Sequence, residues 1–128
     1  MSYSSIARIA GVAAVAWLAA GQASAHHGWS WAQEEQIELT GTVRKVEIAP
    51  PHPWLDVETA NDGVWRVELG NPGQTERSGF GPGSAKAGDQ IVALGNRSRD
   101  AAEKRMKAVR ITVGGKTYDI YPERIRNP

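Results

Sequence analysis

Apolar and polar residues alternate along most of the chain after residue 36, with the period of two that is typical of β-strands. The longest such stretch is residues 37–48, in which the apolar phase flips at Arg44-Lys45. A flip of this kind indicates a β-bulge, which lets one long strand bend between two sheets. The pattern therefore predicts a long, bent first strand.

The same alternation predicts five shorter strands, separated by turn-forming residues. These strands are residues 54–59, 64–69, 90–95, 108–113 and 116–121. Asn61-Asp62-Gly63 predicts a turn after the second strand, and Gly114-Gly115 predicts a two-residue hairpin loop between the last two. Residues 71–87 interrupt the pattern with prolines and glycines, so we expect a loop there with at most a short helix near residues 74–77.

This order of a long strand, a hairpin, a connecting segment, a strand and a final hairpin predicts an all-β fold. The architecture that it favours is a small OB-like barrel of five to six strands, with an open β-sandwich as the alternative. A length of 128 residues limits the chain to one domain. Because the chain has no cysteine, disulfide scaffolds and thiolate metal sites are excluded.

The first 25 residues are typical of a cleaved secretory signal peptide. Arg8 is their only charged residue, an apolar run follows it, and small residues stand at Ala23 and Ala25. The run is too short to span a bilayer, so we predict periplasmic export with no stable membrane anchor after cleavage. Cleavage is expected after Ala25, with Ala23 as the alternative. The predicted parts are the signal peptide 1–25, an N-terminal arm 26–36, the barrel 37–121 and a C-terminal tail 122–128.

The charges of the predicted mature chain cancel, with 14 basic and 14 acidic residues after position 25. This balance excludes a strongly basic nucleic-acid-binding protein. The distribution is uneven, because residues 26–96 hold ten acidic and five basic residues whereas residues 97–128 hold four and nine. We expect the two parts to interleave in the folded domain and to form solvated surfaces.

The histidines are the sharpest chemical signal in the sequence. Cleavage after Ala25 would leave His26 with both an α-amine and an imidazole, and His27 or His52 could complete a three-nitrogen site. Such a site suits Cu(II), which favours tetragonal nitrogen ligation. Cleavage after Ala23 would instead place His26 third in the chain, where it can form a planar four-nitrogen copper chelate. The alternative is that the histidines are solvated residues of a flexible terminus and a loop.

Tryptophans and arginines are the second signal. Trp29, Trp31 and Trp54 could form the wall of a binding site, or they could instead pack in the core or clamp the N-terminal arm. Arg97 and Arg99 fall in residues 96–107, the predicted loop between the fourth and fifth strands. In OB-like barrels this loop commonly contacts ligands, although here it could equally be a solvated loop.

No signature of an enzyme is present. The sequence lacks a nucleophile elbow, a phosphate-binding loop and a dinucleotide glycine fingerprint. The three histidines all fall in predicted loop or terminal segments, so no set of nucleophile, base and orienting residue can be assembled. We therefore predict a protein without catalytic residues.

Several short motifs carry a resemblance to a known family. They are His26-His27-Gly28-Trp29-Ser30-Trp31, Leu39-Thr40-Gly41-Thr42-Val43, Pro51-His52-Pro53, Gly88-Asp89-Gln90-Ile91-Val92 and Arg110-Ile111-Thr112-Val113-Gly114-Gly115-Lys116. Together they resemble DUF6152, a family of uncharacterised bacterial exported proteins, over residues 26–121. The resemblance implies export and a small β fold, and it brings no established activity.

These observations lead to two functional hypotheses. The first is an exported periplasmic β-barrel that binds or handles copper through His26, His27 and His52. The second is a metal-free module that binds a protein or a small ligand through the barrel face and residues 96–107.

Overall fold

The computed structural model describes residues 28–126. Gly28–Ser30 form a turn, and the described residues from Trp31 onward form one compact unit. Its elements are β1 (Ala32–Glu47), β2 (Trp54–Glu58), β3 (Val64–Glu68), α1 (Pro72–Arg77), β4 (Gln90–Ser98), β5 (Arg105–Val113), β6 (Lys116–Asp119) and a 3-10 helix (Pro122–Arg124). Residues 1–25, the predicted signal peptide, lie outside the described residues, as do His26 and His27.

Five of the strands close into a barrel. The strand order is β3-β2-β1-β4-β5-β6, and the neighbouring pairs in this order are antiparallel. An additional parallel pairing joins β3 to β5, from Arg66 opposite Arg105 to Glu68 opposite Lys107. This ring of hydrogen bonds confirms the predicted OB-like barrel and rules out the open sandwich, and β6 extends the sheet from the edge of β5.

The long first strand bends as predicted. β1 pairs with β4 through its first part and with β2 through its second part, and the register shifts between Val43 and Lys45. The strand begins at Ala32, however, so the last five residues of the predicted N-terminal arm belong to the barrel. Ile48, which was expected on the apolar side, follows the end of the strand and is 37% exposed.

The predicted loop at residues 96–107 is wrong in its bounds. β4 continues to Ser98 and β5 begins at Arg105, so the connection is only residues 99–104. The reason is that Asn96, a polar residue typical of loops, is buried in the sheet. Its side-chain amide donates to the backbone oxygens of Gln33 and Glu34, 2.9 and 3.1 Å away, where the register of β1 is irregular.

The core fills the barrel with the inward-facing residues of the strands. β2 and β3 contribute alternate residues, and Met106 of β5 is fully buried among them. Phe80, in the segment between α1 and β4, is also buried and meets the ring of Tyr118 edge-on at 5.2 Å between centroids.

The short helix and the glycine hairpin both occur where they were predicted, and Gly114 and Gly115 have φ angles of 60° and 77°. Within residues 28–126, both helices are too short to cross a membrane.

Candidate functional site

The outward side of β2, β3 and β5 carries the main concentration of polar and aromatic groups. In β3, Trp65 and Val67 point into the core, so Arg66 and Glu68 point outward. In β5, the burial of Met106 in the core turns Arg105 and Lys107 to the same outer side. The side chains of β2 alternate in the same way, which directs Trp54 and Asp56 outward.

Two tryptophans on this surface each stack on an arginine. The guanidinium carbon of Arg66 lies 3.6 Å from the ring centroid of Trp54, and that of Arg105 lies 3.6 Å from the ring centroid of Trp31. Arg66 and Arg105 are register partners on the adjacent strands β3 and β5. We call the surface formed by Trp31, Trp54, Arg66 and Arg105 the Trp–Arg face.

Carboxylates hold both guanidinium groups in place. Arg66 donates to Asp56 through two nitrogens, at 2.8 and 3.4 Å, which is a bidentate arrangement. Arg105 donates to Glu68 and also pairs with Glu103, with 3.5 Å between Nη1 and Oε1. The hydrogen bond to Glu68 raises the pKa of Arg105 above its usual value. Each stacked arginine therefore contacts an indole and is hydrogen-bonded to a carboxylate.

Two further ion pairs lie close to this face. Arg44 pairs with Glu58. Lys104 approaches Asp62, with 3.3 Å between Nζ and Oδ1. The acidic partners Asp62 and Glu68 come from the acid-rich part of the sequence, and Lys104 and Arg105 come from the base-rich part. The two parts therefore interleave here as expected.

His52 lies at one end of this surface, in the loop between β1 and β2. Its imidazole hydrogen-bonds the backbone of Gly70, and its Nδ1 atom is buried without a hydrogen-bond partner in the part of the chain that the structure describes. Burial lowers the pKa of His52, and the positive charges of Lys107 and Arg105 lower it further. Glu68 and the bond to Gly70 act in the opposite direction but are weaker. The imidazole is therefore kept neutral near pH 7.

A buried lysine lies beside this histidine. Lys107 is only 2% exposed, and its Nζ lies 5.8 Å from the ring centroid of Tyr121. Burial lowers the pKa of Lys107 and raises that of the Tyr121 hydroxyl, because both groups lose hydration in their charged forms. Glu68 opposes the lowering of the Lys107 pKa. Neither residue was predicted from the sequence.

The predicted copper ligands are only partly covered by the described structure. Among residues 28–126, no group of three or more histidine, cysteine, aspartate or glutamate side chains is arranged to hold a metal ion. His26 and His27 lie outside those residues, and His52 is the one predicted ligand that is described. The copper site therefore stays a prediction.

The other predicted binding residues take different positions. Arg97 belongs to β4, where its guanidinium carbon lies 4.8 Å from the ring centroid of buried Trp65 and an Nη nitrogen donates to the Ala101 oxygen at 3.2 Å. Arg99 is exposed at the start of the β4–β5 loop, and its backbone nitrogen donates to the Trp31 oxygen at 2.9 Å. Trp29 is half-buried in the turn at Gly28–Ser30.

A shallow groove lies elsewhere, between the β5–β6 hairpin and residues 79–84. Glycines, Pro82 and Ser84 form much of its lining, with Tyr118 and Lys116 from β6. The residues that line it include no carboxylate and no indole–guanidinium stack. The Trp–Arg face is therefore the stronger candidate.

The sequence indicated part of this face. Trp31 and Trp54 were singled out, whereas Arg66, Arg105 and Glu68 were missed. The alternation of β3 does place Arg66 opposite the core, which was an available signal. The position of Arg105 depends on the parallel pairing of β3 with β5, which local sequence patterns do not encode.

Two solved structures are similar to this chain in fold. One is the crystal structure of the S. pombe Stn1-Ten1 complex, with 17% identity, a TM-score of 0.49, and coverage of 61% of this chain and 57% of that chain. The other is a ZRD-deleted mutant of TiaS in complex with agmatine, with 15% identity, a TM-score of 0.50, and coverage of 67% and 26%. The chain thus matches less than two thirds of either structure, and at this identity the likeness concerns the fold alone.

A search of the curated proteins finds no significant match. A model of DUF6152, described as a family of unknown function, matches residues 14–107. This match covers most of the chain and includes β2, β3 and the first three residues of β5, and with them Trp54, Arg66 and Arg105. It agrees with the resemblance seen in the short motifs, and the chain therefore belongs to the DUF6152 family.

Proposed function

We propose that this protein is an exported, periplasmic binding module that holds a small ligand or a partner on the Trp–Arg face. In this proposal the protein acts by binding and not by catalysis. The observation that carries the proposal is the pair of indole–guanidinium stacks on the outside of β2, β3 and β5. OB barrels commonly bind their ligands on the second and third strands, where the Trp54–Arg66 stack lies, and on loops that include the one before the fifth strand, next to Arg105.

The rigidity of the face supports a binding role. Stacks and ion pairs hold all four side chains, so a ligand would not have to order them, and less conformational entropy is lost on binding. The side chain of Arg66 is nevertheless 45% exposed and that of Arg105 is 31% exposed, so both remain accessible. Tryptophan and arginine are also the side chains that most often dominate the energy of an interface.

The location of the binding surface can be tested by NMR on the mature protein. The probes are an acidic peptide, a basic peptide, a neutral tetrasaccharide and an acidic tetrasaccharide. We expect any probe that binds to shift the indole Nε1–H signals of Trp31 and Trp54. The indole of Trp65 is the internal control, because it is buried and donates to Asp62 at 3.2 Å. Binding that shifts only the groove at residues 79–84 and 113–118, or no binding at all, would contradict the proposal.

Export has a separate test. The full chain is expressed in a bacterium, the cells are fractionated, and the protein is weighed by intact mass spectrometry. We expect it in the periplasmic fraction with a mass that begins at His26. An intact mass beginning at Met1, in the cytoplasm, would contradict the export part of the proposal.

Copper handling is the second candidate function, and the buried Nδ1 atom of His52 favours it. That atom has no hydrogen-bond partner in the described part of the chain, and the lowered pKa keeps its lone pair free of a proton. A neutral imidazole nitrogen is a good ligand for Cu(II). In this candidate, His26 with its α-amine and His27 or His52 would supply the nitrogen ligands.

Copper binding is tested on protein recovered from the periplasm after copper exposure, so that the N-terminus is authentic. The expected result is one copper ion per chain by native mass spectrometry, lost in His26→Ala and weakened in His52→Ala. A Lys116→Ala variant, changed in the exposed hairpin, is the matched control. A mature mass without copper would refute this candidate and leave the Trp–Arg face unaffected.

A further inference from the structure

Charge balance sets the Trp–Arg face apart from a site for polyanions. Arg66 is matched by Asp56, Arg105 by Glu68 and Glu103, and Lys104 by Asp62, while Lys45, with its Nζ 5.4 Å from the Trp54 ring centroid, adds one cation beside the face. A polyanionic ligand would therefore have to compete with carboxylates that already occupy the guanidinium groups. A polycation would likewise have to compete with the arginines for their carboxylate partners. The electrostatics therefore favour a ligand without net charge.

Hydrogen-bond donors and acceptors lie side by side on the face. Across neighbouring strands, Trp54 stands opposite Glu68, and Asp56 stands opposite Arg66, which stands opposite Arg105. A hydroxyl group both donates and accepts, so adjacent hydroxyls can bond a guanidinium and its paired carboxylate at the same time. A polyhydroxylated ligand matches this arrangement without breaking the ion pairs.

The aromatic groups add a matching apolar component. Trp54 and Trp31 are the aromatic members of the two stacks, and both residues remain partly exposed. Between them lie Arg66 and Arg105 on adjacent strands, which are separated by about 4.8 Å. The C–H side of a sugar ring is apolar and packs on partly exposed indole surface, while its hydroxyls point sideways to polar groups.

We propose that the Trp–Arg face binds a neutral oligosaccharide, with sugar rings against Trp31 and Trp54 and hydroxyl groups on the Arg66–Asp56 and Arg105–Glu68 pairs. This inference rests on the proposed binding function and names its ligand class. It requires an elongated ligand, because the two indoles contact different arginines on different strands.

The test uses the mature protein and four uncharged probes, namely the tetrasaccharides of cellulose, starch, mannan and chitin. Binding is followed through the Trp31 and Trp54 indole signals, with the tetrasaccharide of polygalacturonate as the charged comparison. We expect at least one neutral probe to bind and shift both indoles. Raising sodium chloride from about 0.05 to about 0.5 M should change its Kd less than about twofold, because no ionic contact is screened.

Paired variants distinguish the loss of a ligand contact from the loss of the folded structure. Trp54→Ala should weaken binding of the neutral probe by about tenfold or more, whereas Trp54→Phe, which retains an aromatic surface, should lose less affinity. Lys116→Ala, in the exposed hairpin, should bind as the unchanged protein does, and thermal unfolding shows whether each variant is folded. Asp56→Asn should also weaken binding of the probe, because it replaces a carboxylate acceptor for the sugar hydroxyls with a weaker amide acceptor.

The failure of this inference is distinguishable from that of the binding module. If polygalacturonate or a peptide shifts Trp31 and Trp54 while the neutral sugars do not, the ligand class is wrong and the binding face stands. If no probe of any class shifts either indole, both are wrong. Strong salt dependence of a neutral probe would also contradict the inference, because it would reveal an ionic contact.

Discussion

In this barrel, burial changes the pKa of individual side chains in ways that the residue type alone does not predict. His52 and Lys107 are both bases whose pKa is lowered by burial, and in both the negative charge of Glu68 opposes that lowering. Either residue on an open surface would titrate near its usual value. Burial and the positive charges of Lys107 and Arg105 make protonation of His52 costly.

The pH dependence of stability follows from the direction of the His52 shift. The unfolded chain binds a proton at His52 near pH 6.5, whereas the folded chain binds it only at lower pH. The stability contributed by neutral His52 is therefore present above pH 6.5 and is lost as the pH falls through the folded pKa. Lys107 and Arg105 oppose protonation, while Glu68 and the Gly70 backbone favour it.

This effect is measured by urea unfolding at about pH 7.5 and about pH 5.5, on either side of the ordinary histidine pKa. We expect the unchanged protein to lose more stability over this interval than His52→Gln, which carries no titrating group there. His26 and His27 are present in both proteins, so the difference isolates His52. Equal losses in the two proteins would show that its protonation is not opposed in the fold.

Gly95 gives a second prediction at the scale of a residue. A Cβ atom at this position would collide with the Lys107 carbonyl oxygen and lie 2.9 Å from the Ala108 Cα, both of which are backbone in the adjacent strand. Gly95→Ala should therefore destabilise the barrel by about 1–3 kcal/mol, the usual range for overpacking. Gly81→Ala is the matched control, since nothing lies within 4 Å of its Cβ position. Chemical denaturation compares them, and similar midpoints would contradict the expectation.

At the scale of elements, α1 forms where the local sequence predicts a short helix. Asn71 accepts a hydrogen bond from the Gln74 backbone nitrogen at 2.8 Å, and Pro72 occupies the first turn. Gln74 then donates to the Ile120 oxygen at 2.7 Å, which attaches the helix to the segment after β6. A six-residue helix has little stability of its own, so its cap and this attachment together maintain it.

Removal of the cap should have a measurable cost. Asn71→Ala leaves the Gln74 nitrogen without its acceptor, and we expect a loss of about 1 kcal/mol in the free energy of unfolding. Asn71→Asp retains a capping oxygen and should lose much less. Urea titration of the three proteins provides the measurement, and equal losses in both variants would mean that the cap contributes through something other than the hydrogen bond.

The elements also show where prediction from sequence succeeds and where it ends. The bend of β1, the β2–β3 hairpin and the Gly114-Gly115 turn all follow from alternation and glycine, because these are local properties. The ends of β4 and β5 were missed because buried Asn96 and Lys107 have the polarity of loop residues. The Trp31–Arg105 stack required knowledge of which distant strands meet, so only its tryptophan could be identified.

At the scale of the whole molecule, the uneven charge of the sequence becomes a set of contacts between its two parts. Asp62 and Glu68 from the first part meet Lys104 and Arg105 from the second. The two contacts differ in burial, since the side chain of Glu68 is 13% exposed and that of Asp62 is 60% exposed. We therefore expect the first contact to matter much more than the second.

Alanine substitution separates the two contacts. Arg105→Ala leaves the largely buried Glu68 without its partner and removes the stack on Trp31, so a loss of about 1–3 kcal/mol is expected. Lys104→Ala removes an exposed ion pair and should cost less than about 1 kcal/mol. Thermal or urea unfolding measures both, and a larger loss for Lys104→Ala would overturn the ranking.

The parallel contact between β3 and β5 also has a consequence for biosynthesis. A nascent chain that has not yet delivered residues 105–107 leaves β3 and β4 each with an open edge. Open edges can pair with other chains, so an incomplete chain is prone to aggregate and has no closed core to protect it. Closure of the barrel therefore waits for β5, because this strand pairs with both open edges.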